Sequence, residues 1–171
     1  APVTVTTTRY QYDGRGIVDP AHRHVFVIPA EGGIARQLTE GNFNHFGQLA
    51  WTPDSTEIFF SADRSEDWEL RSDEADIYAV ALANGRIRQV SNFPGAERNP
   101  VIAPNGKTLA FSYEERRPLA FTPNRIALLN LQTKDMTILT DNLDGDANNI
   151  LWAEDSKSLY FSFDERGMRH I

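Results

Sequence analysis

Four histidines, 24 acidic residues and no cysteine set the chemistry open to this sequence. His22 and His24 flank Arg23, a spacing that puts two imidazoles on one face of a strand, where a metal could be held. No third ligand stands near them in the chain, so they are read as strand-edge histidines among charged neighbours. Asp141, Asp144 and Asp146 crowd the segment DNLDGDANN, but a helix-loop-helix calcium loop needs alternating acids, then Gly and a distant Glu. Turn solvation accounts for them better. Gly14 and Gly16 open a DGRG stretch in which Asp19 stands where a dinucleotide fingerprint requires its third small residue. That stretch reads as a loop. No two glycines stand four apart around a serine, so the strained turn that presents a hydrolase nucleophile is missing. Without cysteine, thiolate catalysis, disulfides and cysteine-bound zinc are excluded. The expectation is therefore no catalytic residue, no cofactor and no metal site within this sequence.

The net charge of −7, with Lys107, Lys134 and Lys157 the only lysines, is the opposite of a nucleic-acid footprint. No run approaches the ~20 apolar residues of a membrane helix, and the first residues lack a basic-then-apolar leader pattern. A soluble chain is expected, in the cytoplasm first and the periplasm second. The acidic run from Ser65 to Asp76, with Asp67, Glu69, Asp73, Glu74 and one tryptophan, Trp68, reads as a solvated loop open to a partner domain.

What must position these groups is a repeat. WTPDSTEIFFS (51–61), IAPNGKTLAFS (102–112) and WAEDSKSLYFS (152–162) superimpose without gaps at offsets of 51 and 50. HVFVI (24–28), DIYAV (76–80) and RIALL (125–129) recur in step, each followed by a turn and a short strand: ARQLT (35–39), IRQVS (87–91) and TILT (137–140). Apolar residues alternate with a period of 2, and the prolines fall at run edges, which excludes helical repeats. Each period thus holds four strands. Strand A is expected at 47–51, 98–102 and 148–152, and strand B at 56–61, 107–112 and 157–162; C and D are the paired runs above. In the A–B turns Gly106 suits a left-handed backbone, and Ser55 and Ser156 are expected to share it. Four short antiparallel strands repeated every ~50 residues is the pattern of a β-propeller blade.

The fold expected is all-β, a partial β-propeller of about three four-stranded antiparallel blades. Its divisions are a partial blade over 1–46, blades over 47–91 and 98–140, and a partial blade over 148–171, with no catalytic domain among them. The near-continuous runs IFF, LAF and LYF are expected to be buried on both faces, and Trp51, Trp152, Phe60, Phe111 and Phe161 to pack blade on blade. An arc of blades leaves two apolar faces uncovered, so either further blades or self-association should cover them.

The Trp-Thr-Pro-Asp-Ser turn with its following strand resembles TolB-like propeller repeats and the N-terminal propeller of the prolyl oligopeptidase family of serine peptidases. RYQYDGRGIVDPAHRHVFVIPAEGGIARQLTEGNF (9–43), DWELRSDEADIYAV (67–80) and LTDNLDGDANNILWAEDSKSLYFSFDERG (139–167) are similar to the acylaminoacyl- and dipeptidyl-peptidase branch. That resemblance implies a non-catalytic propeller that gates short peptides toward an α/β-hydrolase domain holding the Ser-His-Asp triad. A TolB-like protein-binding module without enzymatic activity is the alternative. Residues expected to contact substrate or a partner, chosen as if on the longer loops, are His45, Trp68, Arg98 and Asp146.

Overall fold

The computed structural model describes residues 4–5, 7–8, 10–17, 21–70, 74–117 and 121–171, so Asp19 and Asp73 lie outside the described residues. Every regular element among those described is a strand. In chain order they are β1 (Gln11–Tyr12), β2 (Gly16–Ile17), β3 (Phe26–Val27), β4 (Arg36–Gln37), β5 (His45–Trp51), β6 (Glu57–Ala62), β7 (Asp76–Ala81), β8 (Ile87–Gln89), β9 (Gly95–Ile102), β10 (Thr108–Glu115), β11 (Arg125–Asn130), β12 (Met136–Ile138), β13 (Ala147–Trp152), β14 (Leu159–Glu165) and β15 (Met168–His170). β1 and β2 form a hairpin around residues 13–15. The others form four antiparallel sheets: β3-β4, then β5-β6-β7-β8, then β9-β10-β11-β12, then β13-β14-β15.

The sheets pack face to face in chain order, and alternation along each strand explains how. Ile58, Phe60, Tyr78 and Val80 of the second sheet meet Val25 and Leu38 of the first. Their neighbours Phe59, Ile77 and Ala79 point the other way, onto Leu109, Phe111, Ala127 and Leu129 of the third. Ala110 and Ile126 then meet Ala147 and Ile150 of the fourth. Strands B and C of the second and third sheets are thus buried on both faces, and each large side chain so buried contributes about 1.5–3 kcal/mol.

Two packing expectations are corrected. The LYF run is not buried on both faces, since Tyr160 is 58% exposed on a sheet that no further described sheet follows. Ile102 and Trp152 lie against the preceding sheet, and the Trp152 indole N–H donates to the Val101 carbonyl at 3.0 Å. Trp51 occupies the equivalent place, pairing with Ile58 on the same face, yet is 48% exposed. Among the described residues the first sheet consists only of β3 and β4, the C and D strands, and no described strand lies over the strand where Trp51 stands.

The A–B turns behave as expected, with left-handed φ of 71° at Gly106, 57° at Ser55 and 59° at Ser156. A second left-handed series was not anticipated. Strand A bulges in each of the last three sheets, and the bulge residues Gly47, Asn99 and Asn149 have φ of 80°, 54° and 56°. Asn and Gly tolerate this conformation best. The Asn99 carboxamide oxygen accepts from the Gln48 amide of the preceding sheet at 3.2 Å, so the bulges also join neighbouring inner strands.

Candidate functional site

In an antiparallel A-B-C-D order, strands A and C begin at the edge where B and D end. The D–A connections and the long B–C loop of residues 63–75 therefore share one rim. Three seams between sheets run up to this rim, built on one backbone pattern. The amides of His45, Glu97 and Ala147 donate to the carbonyls of Arg23, Ala75 and Asn124 in the preceding sheet, at 3.0, 2.7 and 2.9 Å. One residue into each C strand, the amides of Val25, Ile77 and Ile126 donate to the hydroxyls of Thr39, Ser91 and Thr140, at 2.9, 3.0 and 2.9 Å. That bond gives the Gln-Leu-Thr type of strand ending its physical purpose: a buried hydroxyl satisfies a strand N–H that no neighbour reaches.

Side chains distinguish the seams. The first carries Phe43-Asn44-His45, the second Gly95-Ala96-Glu97 and the third Gly145-Asp146-Ala147. Asn44 and Asp146 each accept through Oδ1 from the amide across the seam, Arg23 at 3.0 Å and Asn124 at 2.8 Å. Ala96 has no acceptor to offer, so the Ala75 amide makes only a 3.4 Å bond to the Gly95 carbonyl. At Gly95 and Gly145 an added Cβ would lie 2.1 and 2.3 Å from the carbonyls of Glu114 and Asp164, which restricts both positions to glycine.

His45 is 5% exposed, donates from Nδ1 to the Arg23 carbonyl at 2.8 Å and accepts at Nε2 from the Arg64 guanidinium at 2.7 Å. These partners assign a neutral ring. Burial lowers its pKa to about 4, against the Arg23 bond and with help from the Arg64 charge. Arg64 in turn lies 4.6 Å over the Phe43 ring. Glu97 is fully buried; its Oε1 accepts from the Phe93 amide at 2.7 Å, while Oε2 has no hydrogen-bond partner. Burial raises its carboxyl to about 7, with the neighbouring Ser91 hydroxyl and Phe93 amide acting the other way. Asp76, whose Oδ2 accepts from Gln89 at 2.8 Å, is raised to about 6, again chiefly by burial.

The four anticipated contact residues are distributed over these seams rather than gathered into one site. His45 and Arg98 stand within strands, not loops: His45 is buried in the first seam, and Arg98 pairs with Glu114 at 3.4 Å on the third sheet. Asp146 caps the third seam. Trp68 does lie on the B–C loop, where it lines an open cleft of about 750 Å³ with Thr7, His22, Asn42 and Glu66. His22 meets the Trp68 ring edge-on at 5.7 Å, whereas His24 tilts against His45 at 5.3 Å, so the paired histidines diverge. Among the described residues no three His, Asp or Glu side chains form a metal-ligand group. Sequence reasoning missed Glu97 and Arg64 and read Asp76 only as part of a solvated acidic run; the signal available was the recurrence of positions 45, 97 and 147 beside the hydroxyl-ended strands.

Residues 9–118 match the family described as the dipeptidyl peptidase IV (DPP IV) N-terminal region. The chain belongs to that family. It is 29% identical over 151 residues to dipeptidyl-peptidase 5 of Porphyromonas gingivalis, covering 81% of this chain but 22% of that protein. Its fold matches TolB from Acinetobacter baumannii at a TM-score of 0.65 and 20% identity, over 88% of this chain and 34% of that one. A putative TolB from Agrobacterium tumefaciens aligns at 0.68 and 15% identity, over 85% and 47%. The all-β partial propeller and its TolB-like repeats are thereby established, as is membership of the prolyl oligopeptidase family's propeller group. Among the described residues no helix is long and apolar enough to cross a membrane.

Proposed function

We propose that this chain is the non-catalytic propeller segment of a serine peptidase, standing beside an α/β-hydrolase domain and limiting which short peptides reach it. The observation that carries this reading is the family match across residues 9–118, joined to the relative named dipeptidyl-peptidase 5. The sequence holds no Gly-x-Ser-x-Gly turn, and on this reading the chain contributes selection by shape and charge at the loop rim. Glu66 and Glu69 beside Trp68 in the rim cleft suit the cationic amino end of a peptide, in keeping with the net charge of −7. The two open sheet faces, with Phe26, Ile28 and Trp51 at one end and Leu151 and Tyr160 at the other, are to be covered by further blades or by self-association.

The test uses the protein that contains this chain. Release of dipeptides from chromogenic substrates is expected, and Trp68→Ala should change kcat/KM for longer peptides several-fold relative to dipeptide substrates. No peptidase activity, together with a stable protein complex lost on changing the rim, would instead support the TolB-like binding module. A concentration-independent monomer of residues 1–171 would remove self-association.

A further inference from the structure

Equivalent places in the three seams hold His45, Glu97 and Ala147, and the alanine shows that the junction forms without any polar side chain there. Glu97 nevertheless places a carboxylate in a fully buried position with one oxygen unpartnered. A buried group in that state is disfavoured when ionised, and protonation removes its charge. The same seam has the least side-chain support, because Ala96 offers no cap and the Ala75 amide makes a 3.4 Å bond. Ala75 ends the B–C loop, and its bridge to Ala96 fixes that loop against the next sheet.

The groups facing Glu97 are mostly acidic. Asp76 of β7 acts on it directly; Asp63, just past β6, acts in turn on Asp76, and its Oδ2 is also buried and unpartnered. Tyr113 of β10 stands opposite Glu97 in the strand register, with Glu115 of the same strand acting on Tyr113. The nearby cations are engaged: Arg116 pairs with Glu74 across the seam, and Arg98 pairs with Glu114. Neither of these two guanidiniums is thus free to neutralise an ionised Glu97.

We propose that Glu97 is a proton-operated latch between the second and third sheets: protonated, it keeps the seam closed, and ionised, it admits water and frees residues 74–75 from strand A of the third sheet. The proton goes to solvent on opening and returns on closing, and no covalent bond changes. The readout is hydrogen exchange at the Ala75 and Glu97 amides, corrected for intrinsic rates, from about pH 5.5 to about pH 7.5. Opening should increase by about tenfold or more over that range, since one pKa unit is a factor of ten. The Ala147 amide serves as the control that does not follow. Glu97→Gln should flatten the profile at Ala75, and Glu97→Ala, the side chain that the third seam already uses, should do the same. A flat profile in the unchanged protein would overturn the latch, as would a slope that persists in either variant. Failure of both variants to fold would also overturn it, since Glu97 would then be a structural requirement at any pH.

Discussion

The first and second seams share a backbone junction and differ in what they bury beside it. In the first, a neutral His45 is bonded at both nitrogens, with Arg64 as one partner and the Arg23 carbonyl as the other. In the second, Glu97 is bonded at one oxygen and orphaned at the other. The propeller repeat supplies the main-chain bonds and the strand-end hydroxyl at both. What differs is the response to protons, and the signs are opposite. His45, lowered to about 4, binds fewer protons folded than unfolded, so its contribution to stability is present above the ordinary histidine range and is lost as pH falls toward 4. Glu97, raised to about 7, binds more protons folded than unfolded, so its contribution falls as pH rises from the ordinary carboxylate range through 7.

The hardest break is steric. Gly95→Ala and Gly145→Ala each drive a Cβ into a carbonyl, and should cost about 3 kcal/mol or more in urea unfolding. The first seam, with Phe43 at that place, is indifferent to this rule. Converting the third seam to the second is next: Ala147→Glu should destabilise by about 3 kcal/mol at neutral pH, with much of the loss recovered near pH 5. If the loss is the same at both pH values, the comparison fails. Removing the titrating groups should separate the slopes. Thermal melts between about pH 4.5 and about pH 6.5 should show stability rising with pH in Glu97→Gln, and falling more steeply with pH in His45→Gln, relative to the unchanged protein. The smallest effect tests what the seams share. Thr39→Ala, Ser91→Ala and Thr140→Ala should each cost about 1–2 kcal/mol and by similar amounts, since each leaves one buried strand amide without its acceptor.

Strands A and B were legible because the Trp-x-x-Asp-Ser turn and the Phe-Ser ending recur with a fixed offset, and turn chemistry is local. The buried groups of the seams were not. Period-2 reading of Gly95 to Ile102 makes Glu97 and Asn99 face the same way, but the left-handed bulge at Asn99 adds a residue and resets the alternation. Glu97 then points into the seam while Asn99 is exposed. His45 was chosen as a contact because it fell on a loop ahead of a strand expected at 47–51, but strand A begins two residues earlier and carries it under Arg64. Trp51 misled in the reverse direction, since repeat equivalence with Trp152 says nothing about whether a neighbouring inner strand lies over it. Trp68 and Asp146, by contrast, do lie on loops, positions that depend only on local chain character.

The unequal surroundings of the three tryptophans make the molecule its own optical gauge. Trp51 stands 48% exposed on the open face of the second sheet, whereas Trp152 is held by its indole bond to Val101. Anything that comes to lie on that face, whether another blade or another molecule, moves Trp51 out of water and shifts its emission to the blue while Trp152 stays unchanged. With Trp152→Phe and Trp68→Phe in place, the covering of that face would be visible as a colour change from a single indole.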